Sequence, residues 1–507
     1  MTPRRLLRLA GWATAAAVVV SAFVNLTRWP ATWFDEGIHL HVPKALVRLG
    51  AYADYSSEGL RHFGPTLAVG PTVMLPIAAS FKTLGVGLLQ GRLVMATYLV
   101  ALLFAIYLLG RRLGGRVLGL AAVALLLTSP GPSAVEYGRQ VLGEVPGGFF
   151  LAIGLLLWFR AWDNPTVVHL VAAGLVLGLA TATKHVYLLA LAPALLASWV
   201  LNWFYYRTVP HRVFLVTGSV CAAVFGIWQL TVLAWLSPGT LAENWALLRQ
   251  TSEGAAFVFD PGTSRQSVMQ LVGLQGYFGM LLPALLYTAW QATRRERHQQ
   301  MWGVVWLVAA ANLGWFVVAS TGWIRYAFIG LSISALLVAR LWRDLLRGVA
   351  AMEARSLRHA ATGLTFTLWL WLAAVVGIGG VNVLSRLVIV PPADAAATAA
   401  WLAEHVGEAT IVETWEPELA VFSDQRYHYP PPVLLIHAVA HIWRNGPSPA
   451  TKYAFRDGGA PPYVLVGGFA RWVGLYADDD LRADYTPVHV QGAYTVWKHV
   501  DRADIPK

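Results

Sequence analysis

Long apolar runs, separated by short polar segments, cover most of the chain. A helix needs about 20 apolar residues to cross the roughly 30 Å hydrocarbon core of a bilayer. The runs predict about eleven such spans. They lie near residues 9–28, 88–110, 117–132, 145–160, 166–183, 186–204, 213–236, 274–291, 301–319, 325–341 and 362–386. The fold class predicted from this pattern is an α-helical polytopic membrane protein.

The pattern changes after about residue 388, where Pro391-Pro392 opens a segment of ordinary polar content. Residues 395–405 have the spacing of a helix, and the runs 410–412, 463–466 and 494–497 have the composition of strands. We therefore predict a transmembrane domain over residues 1–387 and a soluble α/β domain over residues 388–507.

Composition supports a membrane protein. Of the 507 residues, 57% are hydrophobic and only 13% are charged, which is too apolar for a soluble globular protein. The formal charge of +11 does not indicate a nucleic-acid partner, because the basic residues occur in small clusters between apolar runs. The single cysteine, Cys221, excludes an intramolecular disulfide.

The charged residues predict the orientation, since cytoplasmic loops are rich in arginine and lysine. With the N-terminus inside and the first helix uncleaved, the arginine clusters fall on the cytoplasmic side. They are Arg4, Arg5, Arg8, Arg111, Arg112, Arg116, Arg160, Arg207, Arg212, Arg294, Arg295, Arg297 and the run 343–358. Nine acidic residues then face outward: Asp35, Glu36, Asp54, Glu58, Glu136, Glu144, Glu243, Glu253 and Asp260. We expect a plasma (inner) membrane protein whose C-terminal domain is extracytoplasmic.

Two long outer loops follow from this orientation. Residues 65–84 are apolar, but a span there would put Arg111 outside, and Pro65, Pro71 and Pro76 interrupt the run. We therefore predict that residues 29–87 form one outer loop with short juxtamembrane helices. Residues 237–273, rich in Gly, Ser and Gln, are predicted to form a mobile loop that covers the substrate.

Asp35 and Glu36 directly follow the first span. Acidic side chains at membrane depth usually face a cavity or a partner. A general base that takes a proton from an acceptor hydroxyl would need such a carboxylate, with the neighbouring acid orienting it. The alternative is that Asp35 is only the N-cap of the next helix.

Cations and further polar residues lie at other outer helix ends. Arg139 and Glu144 could form an anion or acceptor pocket, or a structural ion pair. Lys184 and Arg325 are candidate phosphate ligands. In the alternative interpretation Lys184 extends to the interface, and Tyr326 belongs to the interfacial aromatic belt.

Three histidines share the first outer loop with the acid pair: His39, His41 and His62. Imidazole and carboxylate groups can together bind a metal, but this spacing matches no strong metal motif. We predict substrate or ordinary polar contacts for His39 and His62, no metal site and no required cofactor. No motif in the sequence supports a divalent cation.

Taken in order, four motifs resemble the GT-C class of membrane glycosyltransferases, in particular the protein O-mannosyltransferases and the bacterial lipid A aminoarabinose transferases (glycosyltransferase family 39-like). They are the Asp-Glu pair, Arg139 with Glu144-Val145-Pro146, the Thr-Lys segment at Lys184, and Arg325-Tyr326. The resemblance covers roughly residues 10–340. Many relatives have a His-Lys-Pro-Pro run where this chain has Arg61-His62-Phe63-Gly64-Pro65.

The resemblance implies an inverting transfer of a hexosyl or pentosyl sugar from a polyprenyl-phosphate donor to a hydroxyl at the outer face of the membrane. The acceptor would be a lipid, a glycan or a protein, and membrane lipids surround the enzyme. It implies Asp35 as base, Glu36 as orienting acid, and Lys184, Arg325 and Arg139 as phosphate ligands. The C-terminal domain would cover the site or position the acceptor.

Three alternatives belong to other functional classes. A flippase for lipid-linked saccharides would also carry membrane charges, although transporters usually have repeated halves and a midplane site. A glycan ligase would use a diphosphate carrier. An inactive receptor or scaffold would act through its C-terminal domain alone.

Overall fold

The structure is a computed structural model that describes residues 3–64, 67–353, 358–457 and 459–500. Pro65, which the sequence analysis placed among the interrupting prolines, lies outside the described residues. The helices up to residue 388 are α1 Pro3–Phe23, α2 Phe34–Leu49, α3 Pro71–Leu84, α4 Leu88–Gly114, α5 Arg116–Thr128, α6 Ala134–Tyr137, α7 Glu144–Asp163, α8 Val167–Thr183, α9 Val186–Leu201, α10 His211–Thr231, α11 Leu241–Ala255, α12 Pro261–Val272, α13 Leu281–Ala292, α14 Arg297–Ala319, α15 Phe328–Glu353, α16 Arg358–Ala373 and α17 Gly379–Val388.

The predicted polytopic helical fold is confirmed. Among the described residues, seven helical stretches are long and apolar enough to cross a membrane: Leu88–Gly114, Glu144–Asp163, Val186–Tyr206, His211–Leu236, Arg297–Ala319, Ile324–Val349 and Thr362–Val388. Three of the other predicted spans correspond to shorter apolar helices, at Leu7–Phe23, Arg116–Thr128 and Val167–Thr183. The predicted span 274–291 begins as turns and becomes helical only in α13.

Helix α1 ends earlier than the predicted residue 28. Asn25 has a positive φ of 52°, a left-handed conformation that Asn tolerates better than most residues. Its side-chain amide donates to the Leu387 carbonyl at 2.7 Å. This contact with the end of α17 fixes the chain as it leaves the helix.

Residues 29–87, predicted as an outer loop with short juxtamembrane helices, contain two short helices, α2 and α3. Pro71 opens α3, where its missing N–H costs nothing, and Pro76 is accommodated within the helix. With 14 residues, α3 is about 21 Å long, too short to span the hydrocarbon core. Between α2 and α3 lies a small antiparallel hairpin, β1 Asp54–Ser56 with β2 Gly59–Arg61.

The segment 237–273, predicted as a mobile loop that covers the substrate, contains two capped helices, α11 and α12. Thr240 and Glu243 form a reciprocal capping box at the start of α11. Asp260 accepts a hydrogen bond from the Thr263 N–H at 2.7 Å and caps α12, with Pro261 in the first turn. Local capping therefore outweighs the loop-like composition.

The C-terminal segment is mixed α and β. It contains the helices α18 Asp394–His405, α19 Leu434–Arg444, α20 Gly468–Trp472 and α21 Asp478–Asp484, and the strands β3 Ile411–Thr414, β4 Arg426–His428, β5 Tyr463–Val466, β6 Tyr485–Gln491 and β7 Tyr494–His499. The five strands form one sheet in the order β4-β3-β5-β7-β6. Strand β3 is parallel to β4 and β5, whereas β7 is antiparallel to β5 and β6.

The C-terminal segment rests directly on α2 through a 3₁₀ turn, Pro417–Val421. A Cβ atom on Gly37 would lie only 2.1 Å from the Glu418 nitrogen, so this contact requires a glycine. Lys44 donates to the Ala420 carbonyl at 2.7 Å, and the His41 ring contacts the Pro417 carbonyl at 3.1 Å. The helix that carries Asp35 is thus held by residues far along the chain.

Candidate active site

Asp35 and Glu36 occupy the first turn of α2 but point to different surroundings. Trp33 is the N-cap residue, in an extended conformation and without a side-chain cap bond. The interpretation of Asp35 as the N-cap is therefore wrong. Successive residues of a helix point about 100° apart. Asp35 contacts Arg325, and Glu36 contacts Arg92.

A chain of alternating charges surrounds Asp35. The Arg325 Nη2 atom donates to Asp35 Oδ2 at 2.6 Å. The Arg325 Nε atom lies 3.2 Å from Glu144 Oε1, and Lys184 Nζ binds the same Glu144 oxygen. The side chain of Asp35 is 24% exposed, against 7% for Arg325, 5% for Glu144 and 8% for Lys184. Asp35 is therefore the member of this group that is most accessible to a ligand.

The group retains unused hydrogen-bonding capacity. Arg325 Nη1 and Glu144 Oε2 are buried and have no hydrogen-bond partner among the described residues. The Arg325 guanidinium also lies 4.0 Å from the centre of the Trp323 ring and 5.5 Å from that of Trp33. Stacking on aromatic faces orients a guanidinium without consuming its donors. An anionic ligand would find a preformed donor there.

The backbone around Lys184 is fixed by the segment that precedes α3. Val69 and Lys184 form an isolated antiparallel bridge, and the Gly70 N–H donates to the Thr183 carbonyl at 2.9 Å. A Cβ atom on Gly70 would approach the Ala182 carbonyl oxygen to 1.9 Å, so only glycine allows this approach. The segment before α3 and the α8–α9 connection are thereby joined at the candidate phosphate ligand.

A cavity of about 240 Å³ adjoins these residues. Its charged wall includes Asp35, Lys184 and Arg325, and Tyr326 also lines it. The remaining lining is largely apolar and comes mainly from α11, α19 and α20: Leu248, Leu435, Ile436, Ala438, Val439, Ile442, Trp443, Phe469 and Trp472. The C-terminal segment therefore forms part of the cavity. The arrangement combines a cationic patch with a surface suited to a hydrocarbon chain.

His39 lies one turn after Asp35 and lines the same cavity. Its Nδ1 atom is 2.7 Å from the Val141 carbonyl oxygen. Burial lowers the pKa of His39 to about 4, so the ring is neutral at physiological pH. Because a carbonyl only accepts, Nδ1 carries the proton and Nε2 is left as a hydrogen-bond acceptor.

Four of the predicted site residues do not line the cavity. One of them, Glu144, contacts two residues that do, Arg325 and Lys184. His62 lines a separate cavity of about 30 Å³ beside His41 and Trp415. Glu36 is fully buried and pairs with Arg92 through two bonds of 2.8 and 2.5 Å. It also accepts from the Val141 N–H at 3.2 Å. These contacts assign Glu36 to joining α2 to α4 and correct its predicted role as orienting acid.

Arg139 is likewise fully buried and directed away from the cavity. Its guanidinium donates to the carbonyls of Trp29, Ser21 and Val24 at 2.9, 2.7 and 2.6 Å. These carbonyls belong to the last turn of α1 and to the chain after it, where helix carbonyls lack helical partners. Arg139 therefore stabilises the end of α1, a correction to its predicted role as phosphate ligand.

The sequence analysis did not single out Arg92. It lies near the start of the predicted span 88–110, and an arginine inside an apolar run signals a buried partner. His185, which also lines the cavity with Asp35, was overlooked as well. In the described part of the chain, no cluster of three or more His, Cys, Asp or Glu side chains could hold a metal ion.

Comparisons with known proteins support the fold. Residues 68–230 match the family model described as dolichyl-phosphate-mannose-protein mannosyltransferase. The fold of the whole chain matches ArnT from Cupriavidus metallidurans, solved with undecaprenyl phosphate, with a TM-score of 0.65, 14% identity and 100% coverage of both chains. The chain has the GT-C fold. No curated protein sequence matches it.

A second GT-C structure also resembles the chain over most of its length. It is the oligosaccharyltransferase AglB from Archaeoglobus fulgidus, solved with an inhibitory peptide and a dolichol-phosphate. The TM-score is 0.59 at 13% identity, over 98% of this chain and 75% of AglB. The predicted resemblance to GT-C membrane glycosyltransferases is confirmed. The family match includes Glu144 and Lys184 of this GT-C protein but neither Asp35 nor Arg325.

Proposed function

We propose that the protein is an inverting glycosyltransferase that moves a sugar from a polyprenyl-phosphate donor to an acceptor hydroxyl at the outer face of the membrane. The observation that carries this proposal is the juxtaposition of Asp35 with Arg325 and Lys184 in a cavity that is otherwise largely apolar. A lipid phosphate needs cations beside an apolar surface, and an acceptor hydroxyl needs a base. The GT-C fold and the family match support the same reaction class.

The transfer step follows from these positions. The acceptor oxygen attacks C1 of the sugar from the side opposite the phosphate, and its proton passes to Asp35. The bond between C1 and the phosphate oxygen breaks, and the phosphate leaves with the electron pair. Lys184 and the free Nη1 donor of Arg325 stabilise the charge on the departing phosphate. A polyprenyl phosphate is a good leaving group, so no strong general acid is required.

Arg325 links the two halves of the reaction. Its Nη2 atom holds the Asp35 carboxylate, and we assign the phosphate to its Nη1 atom, which has no hydrogen-bond partner among the described residues. Glu144, between Arg325 and Lys184, holds the two cations close together despite their mutual repulsion. The neutral His39 supplies an acceptor for a sugar hydroxyl. In this proposal Tyr326 lines the donor pocket.

The experiment uses the purified full-length protein in lipid nanodiscs with a panel of polyprenyl-phosphate hexoses and pentoses. We expect one donor to bind and to be cleaved slowly by water to free sugar and polyprenyl phosphate. A flippase would move the intact lipid in proteoliposomes without cleaving it. A ligase would cleave only diphosphate-linked donors. Either result, or the absence of binding by every donor, would contradict the proposal.

A further inference from the structure

Helices α1, α4 and α5 enclose a groove of about 560 Å³ toward the end of the bundle opposite Asp35. Glu36, next to Asp35, pairs with Arg92 near the start of α4. Arg111, which lines the groove near the end of α4, lies about 29 Å from Arg92 along the helix axis. That distance is close to the roughly 30 Å thickness of the hydrocarbon core. The groove is therefore remote from the proposed active site, and none of the roles assigned so far involves it.

One face of α1 and one face of α4 line the groove. The lining residues recur at intervals of four and three along each helix, which places them on a single face. The side chains on the α1 face are mostly small, and a Cβ atom added to Gly11 would meet nothing within 4 Å. The space between the helices is therefore left unfilled. The two faces carry Gly11, Ala15 and Val18 on α1, and Val100, Phe104 and Tyr107 on α4.

The groove is open to the surrounding membrane and has the depth of one leaflet. Val19 and Phe104, which both line it, are 53% and 58% exposed. It extends along residues 8–19 of α1 and 100–111 of α4, which is about 17 Å on each helix. One leaflet contributes about half of the roughly 30 Å hydrocarbon core. An acyl chain of a membrane lipid therefore fits the groove in polarity and in length.

Three arginines line the same end of the groove, one from each helix: Arg8, Arg111 and Arg116. All three are exposed. Arg112, the neighbour of Arg111, pairs with Asp163, whereas the three groove arginines have no carboxylate partner among the described residues. Like charges at one place repel each other. An anion between the three guanidinium groups would relieve this repulsion.

The chemistry of the two ends together identifies the occupant. A guanidinium matches the oxygens of a phosphate and can bind two of them at once, and basic pockets between membrane helices bind anionic lipid headgroups. We propose that the groove binds an anionic glycerophospholipid, with its phosphate between Arg8, Arg111 and Arg116 and one acyl chain along the faces of α1 and α4. This lipid site is separate from the donor cavity and does not depend on the proposed transfer.

A lipid in the groove would supply packing that α1 otherwise lacks. Among the described residues of α1, no side chain before Val18 is buried. The other end of the helix is held by Arg139, which donates to the Ser21 carbonyl at 2.7 Å. The lipid would join the free half of α1 to α4 and α5. A ligand that binds only the folded protein stabilises it, so the lipid should raise the melting temperature.

The test measures lipid binding to the delipidated full-length protein by native mass spectrometry and by thermal shift. The probes are dioleoyl-phosphatidylglycerol, the zwitterionic dioleoyl-phosphatidylethanolamine and the phosphate-free dioleoylglycerol. We expect phosphatidylglycerol to bind most tightly and to raise the melting temperature most, and dioleoylglycerol least. Equal affinity for all three lipids, or no binding of phosphatidylglycerol, would overturn the proposal.

Charge removal tests the headgroup end. Arg8→Gln, Arg111→Gln and Arg116→Gln combined should weaken phosphatidylglycerol binding about 100-fold, because each basic residue contributes about fivefold. The control combines the same change at three exposed arginines outside the groove, Arg160, Arg212 and Arg294, and should retain most of the affinity. Equal losses in the two triple variants would show that only net charge matters and would refute the site.

Filling the groove tests the acyl-chain end while leaving the arginines in place. Gly11→Phe should abolish the thermal shift by phosphatidylglycerol. Gly314→Phe on α14, where an added Cβ also meets nothing within 4 Å, should keep it. Unchanged phosphatidylglycerol binding by Gly11→Phe, or its displacement by inorganic phosphate, would show that the arginines bind a free anion and would contradict a lipid site. A failure of the protein to bind any polyprenyl-phosphate sugar would sink the proposed function and leave this site standing.

Discussion

The cavities on the two sides of Phe34 place carboxyl groups in opposite environments. On one side, Asp35 and Glu144 are held by Arg325 and Lys184. On the other side, a second cavity of about 320 Å³ is lined by the buried pair Glu416 and Glu418. Backbone N–H groups and a tyrosine hydroxyl hold this pair, and neither carboxyl has a cationic partner among the described residues. Carboxyl side chains are therefore paired with cations on one side and retain their protons on the other, where burial raises the pKa of Glu416 and Glu418.

The stacked rings of Phe34 and Phe469, with centres 3.5 Å apart, separate these two environments. A phosphate requires donors and positive charge, which Arg325 and Lys184 supply on the Asp35 side. Substitutions on each side test whether the two cavities are as distinct as the geometry indicates.

The largest expected effect is on Asp35. Asp35→Asn keeps the shape of the side chain but removes the base, so transfer should fall about 10²–10⁴-fold. Donor affinity, measured by titration in nanodiscs, should change little. Glu136→Gln, the same chemical change at an outer acid paired with Arg386, serves as the control. Wild-type turnover by Asp35→Asn would remove Asp35 from the chemistry.

Glu418 should control the pH dependence of stability. Its pKa is raised from 4.5 to about 7 in the folded protein, so the folded state holds the proton more tightly. The stability this provides is full below the unfolded value and is lost as the pH rises through about 7. Thermal unfolding of Glu418→Gln between pH 5 and 8 should show a flatter profile.

Glu408→Gln, an exposed acid in the same segment, should reproduce the wild-type pH profile. If Glu418→Gln also showed the wild-type dependence of thermal stability on pH, the carboxyl pair would ionise like an ordinary surface acid. The contrast between the two cavities would then lose its electrostatic basis.

Lys184→Ala and Arg325→Ala should weaken donor binding while leaving the second cavity intact. Each loses a charge-assisted hydrogen bond of about 1.5–3 kcal/mol, which is roughly a 10- to 150-fold loss of affinity. The loss of affinity is measured by titration with the polyprenyl-phosphate donor. Arg482→Ala, at an exposed position, serves as the control and should leave donor affinity unchanged. Unchanged donor affinity in either variant would show that the substituted residue is not a phosphate ligand and has only a structural role.

Gly37→Ala tests the contact that fixes both cavities relative to each other. The added methyl group would lie 2.1 Å from the Glu418 nitrogen, which requires α2 and the 3₁₀ turn to separate. Overpacking of this kind costs about 1–3 kcal/mol. We expect lower thermal stability together with slower transfer. Gly226→Ala, where an added Cβ meets nothing within 4 Å, should change neither.

Labelling of single cysteines at exposed positions should perturb the protein least. It tests whether both cavities lie on the outer side of the membrane. After replacement of the buried Cys221, Glu408→Cys in the C-terminal segment should react with a membrane-impermeant maleimide added to intact cells. Arg295→Cys, between α13 and α14, should react only after permeabilisation. Both positions are exposed. The reverse pattern would invert the topology and place the proposed transfer on the cytoplasmic side.

Much of the fold was predictable because hydrophobic run length is a strong signal for membrane helices. The convergence of Asp35, Glu144, Lys184 and Arg325 was predictable as well, since all four lie at helix ends. The helices in residues 237–273 also have sequence signals, namely the spacing of Thr240 with Glu243 and the pair Asp260-Pro261. The Gly, Ser and Gln content of the segment masks these local signals.

The roles of Glu36 and Arg139 were not predictable from sequence order. Which of two adjacent acids faces a cavity depends on the rotation of one helical turn, and that rotation is set by packing. In this fold, the pairing of Arg92 with Glu36 and the contact at Gly37 fix the rotation of the first turn of α2. The contact at Gly37 joins residues 37 and 418, and no local pattern near Asp35 reveals it.

The most direct test of the central claim is a cryo-electron microscopy structure of the Asp35→Asn protein with its polyprenyl-phosphate sugar bound. The account predicts that the phosphate contacts Lys184 and Arg325, that the prenyl chain lies along α11 and α19, and that C1 of the sugar faces residue 35. A phosphate bound elsewhere, with Lys184 still paired only to Glu144 and the cavity beside residue 35 filled by other side chains, would contradict it.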